Sequence, residues 1–328
     1  MSLLENLLRK FRFVRRLETR VRHLEADKAQ LRADIATVET ANARLAAEAV
    51  ERGFAFPPGH FYSPLPSRAE VAEVFARGNF GPPFPGVDLN EAGQFELLET
   101  LAGFYAEQPF PEQPTAGRRY HLDNPSYGHF DGIILYAMLR QLESRRVIEV
   151  GSGFSSAAML DLNEHVFGGR MALTFIDPDM SRLRALLKPD DHARVTLIER
   201  RVQEVPVEIF AALEAGDVLF IDSSHVSKLG SDVNRLFFDV LPVLRPGVHV
   251  HIHDIAGNFE YPQAWFAEGR AWNEQYLLRA FLMYNRAFRV ELFTSWLSNR
   301  HHDFLRERMP LCARGGGGQI WLRKDAAG

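Results

Sequence analysis

Apolar segments typical of β-strands alternate with helix-like stretches from Arg145 to the end of the chain. Five of these segments follow one another at intervals of roughly 20–30 residues, a spacing typical of βαβ units, which predicts a parallel sheet. Two further apolar segments near the end of the chain add strands to it. The predicted strands lie at residues 146–150, 172–176, 195–198, 217–221, 247–252, 288–296 and 319–324.

Size and composition exclude several classes of protein. A chain of 328 residues is about twice the commonest domain length, so we expect more than a sheet domain alone. With 46% hydrophobic and 24% charged residues, the composition is that of a folded globular protein. A net charge of −4 argues against a surface built throughout for nucleic acid. The chain has no apolar run of the ~20 residues that a membrane span requires, and its single cysteine excludes an intrachain disulfide, so we expect a cytoplasmic protein.

The amino-terminal region predicts a coiled-coil helix. Residues 7–50 contain no proline or glycine and carry apolar side chains at heptad spacing. β-Branched residues at three of the six a positions and mostly Leu at d favour two strands, and we expect a homodimer. The alternative is a long amphipathic helix that packs on its own globular domain. The a positions are Val14, Val21, Lys28, Ile35, Asn42 and Ala49, and the d positions are Leu17, Leu24, Leu31, Val38 and Leu45.

Three regions follow from these patterns. Residues 1–52 form the coiled-coil helix, residues 53–119 are rich in proline, glycine and aromatic residues and form a linker and cap, and residues 120–328 form the sheet domain. The first 22 residues carry a local charge of +5. A transient contact with an anionic surface is therefore confined to this tip, and we expect no stable membrane anchoring.

Polar and small residues follow the predicted strands at the edge where a parallel sheet binds its ligands. The first strand ends at Glu149 and continues as Gly151, Ser152 and Gly153, before a predicted helix. Such a turn lets a ligand approach the backbone and the amino end of the helix, although a plain strand-to-helix turn has the same pattern. The second strand ends at Asp177, where a carboxylate can accept the hydroxyls of a ribose or simply form an Asp-Pro turn.

The order of these motifs resembles the class I S-adenosylmethionine-dependent methyltransferases over about residues 120–324. Several segments are similar to a bacterial group of the methyltransferase 24 family, related to metal-dependent macrolide sugar O-methyltransferases. The resemblance implies a Rossmann-like seven-stranded α/β sheet whose last strand runs antiparallel, with the cofactor over the first three strand ends. The segments are VIEVGSGFSS, FIDSSHVSKLGSDV, LPVLRPGVHVHIHDI, FEYP, WNEQYLLRAF and IWLRK.

The resemblance also implies which residues bind S-adenosylmethionine. The glycine-rich turn would line the methionine end of the cofactor, Asp177 its ribose, and the segment after the third strand its adenine. The implied cofactor-binding residues are Glu149, Gly151, Ser152, Gly153, Ser156, Asp177, Val202, Gln203 and Asp222.

A second group of residues follows the fourth and fifth strands. Carboxylates and imidazoles at adjacent strand ends can hold a divalent cation such as Mg²⁺, or Mn²⁺ or Fe²⁺ where His takes part. By resemblance, Asp222 and Asp254 are ligands and His225 is the general base, so the catalytic pair is His225 and Asp222. His253 joins the predicted ligands although the related enzymes carry a carboxylate there. Asp232 either orients His225 or faces solvent.

Two functions from different classes remain. The first is S-adenosylmethionine-dependent O-methylation of a hydroxyl on a sugar or secondary metabolite, with a small-molecule or glycan acceptor, assisted by a divalent cation that lowers the pKa of the hydroxyl. The alternative is a non-catalytic coiled-coil assembly module whose methyltransferase-like domain senses the cofactor. Retention of Asp222, His225 and Asp254 favours catalysis, and no nucleic-acid partner is expected.

Overall fold

The computed structural model describes residues 3–51, 56–78 and 80–326. Its sheet has seven strands in the order β3-β2-β1-β4-β5-β7-β6, and β7 runs antiparallel to both of its neighbours. The predicted α/β class and the antiparallel last strand are therefore confirmed. The strands are β1 (Arg146–Val150), β2 (Ala172–Ile176), β3 (Val195–Ile198), β4 (Val218–Ile221), β5 (His249–Ile252), β6 (Phe288–Phe293) and β7 (Ile320–Lys324).

Strand bounds differ from the prediction mainly at β6. The predicted segment 288–296 continues past Phe293, where the structure begins a helix at Thr294. All four residues of β4 and of β5 are buried, as expected for central parallel strands covered on both faces. The four glycines 315–318 form no helix and lead into β7.

Helices alternate with the strands along the chain and contribute many of the buried side chains. The long α4 buries nine of its fourteen residues. The helices are α1 (Leu3–Glu51), α2 (Arg68–Arg77), α3 (Glu91–Ala102), α4 (His129–Leu142), α5 (Phe154–His165), α6 (Ser181–Leu186), α7 (Glu208–Ala211), α8 (Asp232–Arg235), α9 (Leu241–Val243), α10 (Gln263–Ala267), α11 (Glu274–Leu282), α12 (Thr294–Arg300) and α13 (His302–Arg308). Helices α8 and α9 are joined by a π-helix, Leu236–Val240.

The chain forms two compact units, Met1–Ala76 and Arg77–Gly328. We predicted boundaries after residues 52 and 119; the first lies outside the described residues, and the second falls inside the larger unit. Part of the predicted cap thus packs with the sheet domain. Leu98 and Leu101 of α3 are fully buried, and the Phe84 ring meets Phe259 edge to face.

A buried ionic cluster fixes the chain just before α4. The guanidinium of Arg119 lies 2.7 Å from the carboxylate of Asp161 on α5 and also pairs with Asp191. All three side chains are at most 2% exposed. Because a buried charge is costly without a partner, this cluster makes the end of the predicted cap a part of the sheet domain.

Among the described residues, the apolar a and d side chains of α1 are exposed. The a and d side chains Val14, Leu17, Val21, Leu24, Leu31, Ile35, Val38 and Leu45 are 47–61% exposed. The side chains of residues 3–13, which include half of the basic tip, lie outside those described. Within the described parts of the chain, every helix is too short or too polar to cross a membrane.

Candidate functional site

The predicted site residues lie at or after the ends of five adjacent strands. Strand order places β3, β2, β1, β4 and β5 side by side and parallel, so their carboxyl ends share one edge of the sheet. Hydrogen bonds continue past the strands: Asp222 donates its backbone N–H to Val150, and His253 donates to Ile221. The turn after β1 and the segments after β4 and β5 therefore begin at the same level, as ligand sites of open α/β sheets do.

The turn after β1 is held from inside by Glu149. This carboxylate is fully buried and accepts hydrogen bonds from the hydroxyls of Ser155 and Ser156 at the start of α5. The Ser156 hydroxyl in turn accepts the backbone N–H of Gly153 at 3.0 Å. Burial raises the pKa of Glu149 to about 8, although both serine hydroxyls favour its charged form. Glu149 and Ser156 thus hold the turn through hydrogen bonds on its buried side.

Gly151 brings this turn against the segment after β4. Its φ is +85°, in the region that favours glycine. A Cβ atom built there would lie 1.7 Å from the backbone oxygen of Asp222. Because glycine has no Cβ atom, the turn and the segment after β4 can make contact here. A side chain at this position would collide with the backbone of Asp222.

Asp177 closes the same turn from β2. One oxygen of its carboxylate accepts the backbone N–H of Ser152 at 2.7 Å, and the other accepts the N–H of Asp179 at 2.8 Å. After β3, Val202 is buried, and the Gln203 side chain donates to the backbone oxygen of Gly230 at 2.9 Å. Asp177 thus contacts the turn directly, whereas Gln203 contacts the segment after β4.

Asp222, His225 and Asp254 form a compact cluster beside this turn. The Nε2 atom of His225 lies 3.4 Å from Oδ1 of Asp222 and 3.5 Å from Oδ2 of Asp254. One ligand atom from each of the three residues lies within 4.8 Å of the others. His225 and Asp254 have φ values of +59° and +56°, a conformation that costs a non-glycine residue about 1–3 kcal/mol.

His253, the fourth predicted participant, borders the cluster. Its Nδ1 atom lies 3.5 Å from Oδ1 of Asp222 and 3.8 Å from Oδ1 of Asp254. The structure therefore brings both histidines to the same pair of carboxylates. The predicted roles of the two histidines, His253 as a ligand and His225 as a general base, stay a prediction.

The charges of this cluster compensate one another. Burial raises the pKa of Asp222, but the charges of His253 and His225 outweigh burial and hold that pKa well below its usual range. Burial lowers the pKa of His225, yet hydrogen bonding to Asp222 and Glu274 overcomes this and raises it to about 10. Without a cation, protons on the imidazoles therefore balance the carboxylates at neutral pH.

Two carboxylates outside the cluster face its histidines, and neither was predicted for this role. Glu274, at the start of α11, is fully buried and lies 2.8 Å from Nδ1 of His225. Asp131 on α4 lies 3.7 Å from Nε2 of His253. Asp232 instead accepts the backbone N–H of Ser224, so the residue that orients His225 is Glu274. Glu274 follows no strand, so its sequence position carried no signal.

Aromatic side chains line the side of the cluster that leads toward α10 and α11. The Trp272 ring lies 4.3 Å from the His225 ring, and Trp265 meets Trp272 at 5.0 Å in an edge-on contact. The Arg270 guanidinium lies over both indoles, at 4.6 and 4.8 Å. Both tryptophans are partly exposed.

The sequence model of the methyltransferase 24 family, described as a methyltransferase domain, matches residues 148–255. An uncharacterized protein of Archaeoglobus fulgidus is 31% identical over 177 residues, which are 51% of this chain and 78% of that protein. The O-methyltransferase TomG of Streptomyces achromogenes, solved with SAM, is 15% identical, with 70% of this chain and 90% of TomG covered at a TM-score of 0.38. A cmcI structure with Mg and SAM is 18% identical, with 68% and 84% covered at a TM-score of 0.37.

Proposed function

We propose O-methylation of a small molecule or glycan as the reaction of this chain, which belongs to the S-adenosylmethionine-dependent methyltransferases. One observation carries the proposal. The backbone oxygen of Asp222 touches the turn at Gly151, while the Asp222 side chain belongs to the cluster with His225 and Asp254. A cofactor bound on the turn would therefore present its reactive end to the cluster.

The residues around the turn fit an S-adenosyl group. Asp177 lies at the end of β2, where a carboxylate can accept ribose hydroxyls. The buried Tyr127 hydroxyl, whose ring packs 5.1 Å from His253, has no hydrogen-bond partner among the described residues. An unsatisfied buried hydroxyl beside the cluster is available to a ligand.

Methyl transfer needs an activated acceptor oxygen. When bound, S-adenosylmethionine supplies a methyl group on a positively charged sulfur, which becomes a neutral thioether as the acceptor oxygen gains the methyl and releases its proton to water. We propose that Asp222 and His225 hold the acceptor hydroxyl in line with this methyl group, since alignment removes much of the entropic barrier. Carboxylates and imidazoles here also fit a divalent cation, whose charge would lower the pKa of the hydroxyl.

The side chains of Trp265 and Trp272 suggest the class of acceptor. Trp265 and Trp272 offer partly exposed ring faces next to His225, and such faces pack against sugar rings and polycyclic metabolites. Trp272 is thus proposed to hold the acceptor body while its hydroxyl enters the cluster.

Binding of the cofactor product tests the nucleoside half of the proposal. Isothermal titration with S-adenosylhomocysteine should show binding, and Asp177→Ala should weaken it about 10-fold or more, as loss of a charge-assisted hydrogen bond does. Asp190→Ala removes an exposed carboxylate and should leave the affinity unchanged. Equal affinity in the wild type and Asp177→Ala would remove Asp177 from the cofactor site.

Labelling tests the O-methyl assignment. S-adenosylmethionine with a ¹³C-methyl group is incubated with the protein and a panel of sugars and hydroxylated metabolites. The carbon chemical shift of any labelled product distinguishes an O-methyl from an N-methyl or C-methyl group. Label on nitrogen or carbon would contradict the proposal, and cofactor binding without turnover on any acceptor would favour the assembly module instead.

We also propose that α1 pairs with a second copy in a parallel coiled coil. The exposed seam needs an apolar partner, and Arg20 would face Glu25 of the second helix while Asp27 would face Arg32. The double substitution Leu24→Asp and Leu31→Asp should yield a monomer in light scattering. The same two charges placed off the seam, as Ala26→Asp and Ala33→Asp, should leave the dimer intact; a monomeric wild type would overturn this pairing.

A further inference from the structure

The two histidines of the cluster share one arrangement. His225 turns Nε2 toward Asp222 and Asp254 and directs Nδ1 to Glu274 at 2.8 Å. His253 turns Nδ1 toward the same two aspartates and directs Nε2 to Asp131. Each imidazole therefore has one nitrogen facing the aspartates and one facing an outer carboxylate.

The contact with Glu274 prepares the ring of His225 to bind a cation, whereas Nε2 of the buried His253 has no hydrogen-bond partner among the described residues. A carboxylate that accepts one ring N–H leaves the lone pair on the other nitrogen, and most metal-binding histidines are fixed in this way. The pair of His225 and Glu274 is almost entirely buried, with side chains 5% and 0% exposed. The outer group Asp131 is itself held, because its Oδ1 accepts the backbone N–H of Gly318 at 2.9 Å.

The spacing of the inner atoms fits a single ion. Metal bonds of about 2.0–2.2 Å place opposite ligands about 4.4 Å apart. The ligand atoms of Asp222, His225 and Asp254 lie within 4.8 Å of one another, so a contraction of a few tenths of an ångström is sufficient. Nε2 of His225 lies 3.4 Å from Asp222 and 3.5 Å from Asp254, so an ion between these atoms would replace the proton on this nitrogen.

We infer that this cluster binds a first-row transition cation in preference to Mg²⁺, with both histidines as ligands beside Asp222 and Asp254. Glu274, which lies 2.8 Å from Nδ1 of His225, is the positioning residue. Two imidazoles in the donor set favour such cations, whereas Mg²⁺ prefers oxygen ligands. The inference deepens the proposed function, on which it rests for the purpose of the cation, and it makes His225 a ligand where the resemblance implied a base.

Metal titrations of the full chain test this selectivity. After removal of bound metals with a chelator, Mn²⁺ and Mg²⁺ are titrated separately by calorimetry. We expect Mn²⁺ to bind at least 10-fold more tightly than Mg²⁺. Pulsed electron paramagnetic resonance of the Mn²⁺ complex should show nitrogen couplings from imidazole, and His225→Ala should reduce them. Equal affinities for the two ions, or a Mn²⁺ complex without nitrogen couplings, would overturn the inference.

Glu274 has a matched control elsewhere in the sheet domain. Glu291 lies 2.6 Å from Nδ1 of His249, a second buried histidine and carboxylate pair at the opposite end of β5. Glu274→Gln should weaken Mn²⁺ binding 10- to 100-fold, as loss of an outer partner of a metal ligand does. Glu291→Gln should leave it unchanged. Unaltered Mn²⁺ affinity in Glu274→Gln would show that Glu274 does not position a ligand.

Binding of S-adenosylhomocysteine separates the two proposals. If Glu274→Gln still binds this product with wild-type affinity, the variant is folded and its loss of Mn²⁺ affinity is local. If the wild type binds Mn²⁺ tightly but not S-adenosylhomocysteine, the metal site stands and the proposed methyl transfer fails. If it binds S-adenosylhomocysteine but prefers Mg²⁺ or binds no metal, methyl transfer stands and the metal inference fails.

Discussion

Gly151→Ala tests whether the contact between the turn and Asp222 builds the site. The new methyl group would lie 1.7 Å from the Asp222 oxygen, which must retreat by roughly 1.5 Å to reach van der Waals separation. The φ of +85° adds left-handed strain of about 1–2 kcal/mol, and overpacking of this kind costs about 1–3 kcal/mol. We therefore expect the free energy of unfolding to fall by about 2–5 kcal/mol.

Gly168→Ala provides the matched control. Its φ is +63°, and a Cβ atom there would meet no atom within 4 Å, so this variant carries only the left-handed strain. Urea unfolding followed by circular dichroism measures both variants, and calorimetry measures their affinity for S-adenosylhomocysteine. Gly168→Ala should keep wild-type affinity, whereas Gly151→Ala should lose at least 10-fold. Equal stabilities and equal affinities in the two variants would refute the close approach of the two segments.

Two further predictions concern buried charges. Arg119→Met leaves Asp161 and Asp191 buried without their partner and should lower the free energy of unfolding by about 3–5 kcal/mol in urea. Burial raises the pKa of Glu149 from 4.5 to about 8 in the folded chain, so the folded state binds this proton more tightly than the unfolded state between those pH values. The wild type should therefore lose stability as pH rises through this window, and Glu149→Gln should lose less; identical urea midpoints at each pH would contradict the shift.

Periodicity was sufficient to predict the strands because central parallel strands are buried on both faces and read as apolar runs. The segments around Val147 and Val218 show this most clearly, since both residues are fully buried and paired in adjacent strands. The end of β6 was less predictable. Thr294 and Trp296, just after Phe293, are residue types that are common in strands, although the chain turns into a helix there, so residue types alone cannot place the boundary.

The inner site residues were visible in the sequence because each follows a strand directly, and parallel strands bring such positions to one edge. Glu274 and Asp131 lie on helices, and only tertiary packing brings them to the histidines. The alternating histidines follow the same rule. His251, inside β5, stacks on Phe220 at 3.7 Å and is fully buried, whereas His253, directly after β5, faces the cluster.

The position of Asp222 decides which variants are informative. Its backbone belongs to the contact with the turn, and its side chain belongs to the cluster, so substitution of Asp222 would disturb cofactor and metal binding together. Gly151 lacks a side chain and touches only the backbone of Asp222, while Glu274 reaches the cluster only through His225. If the sheet edge joins two separate binding sites, Gly151→Ala must act first on cofactor affinity and Glu274→Gln on metal affinity. A single site would make the two variants lose both affinities in the same proportion.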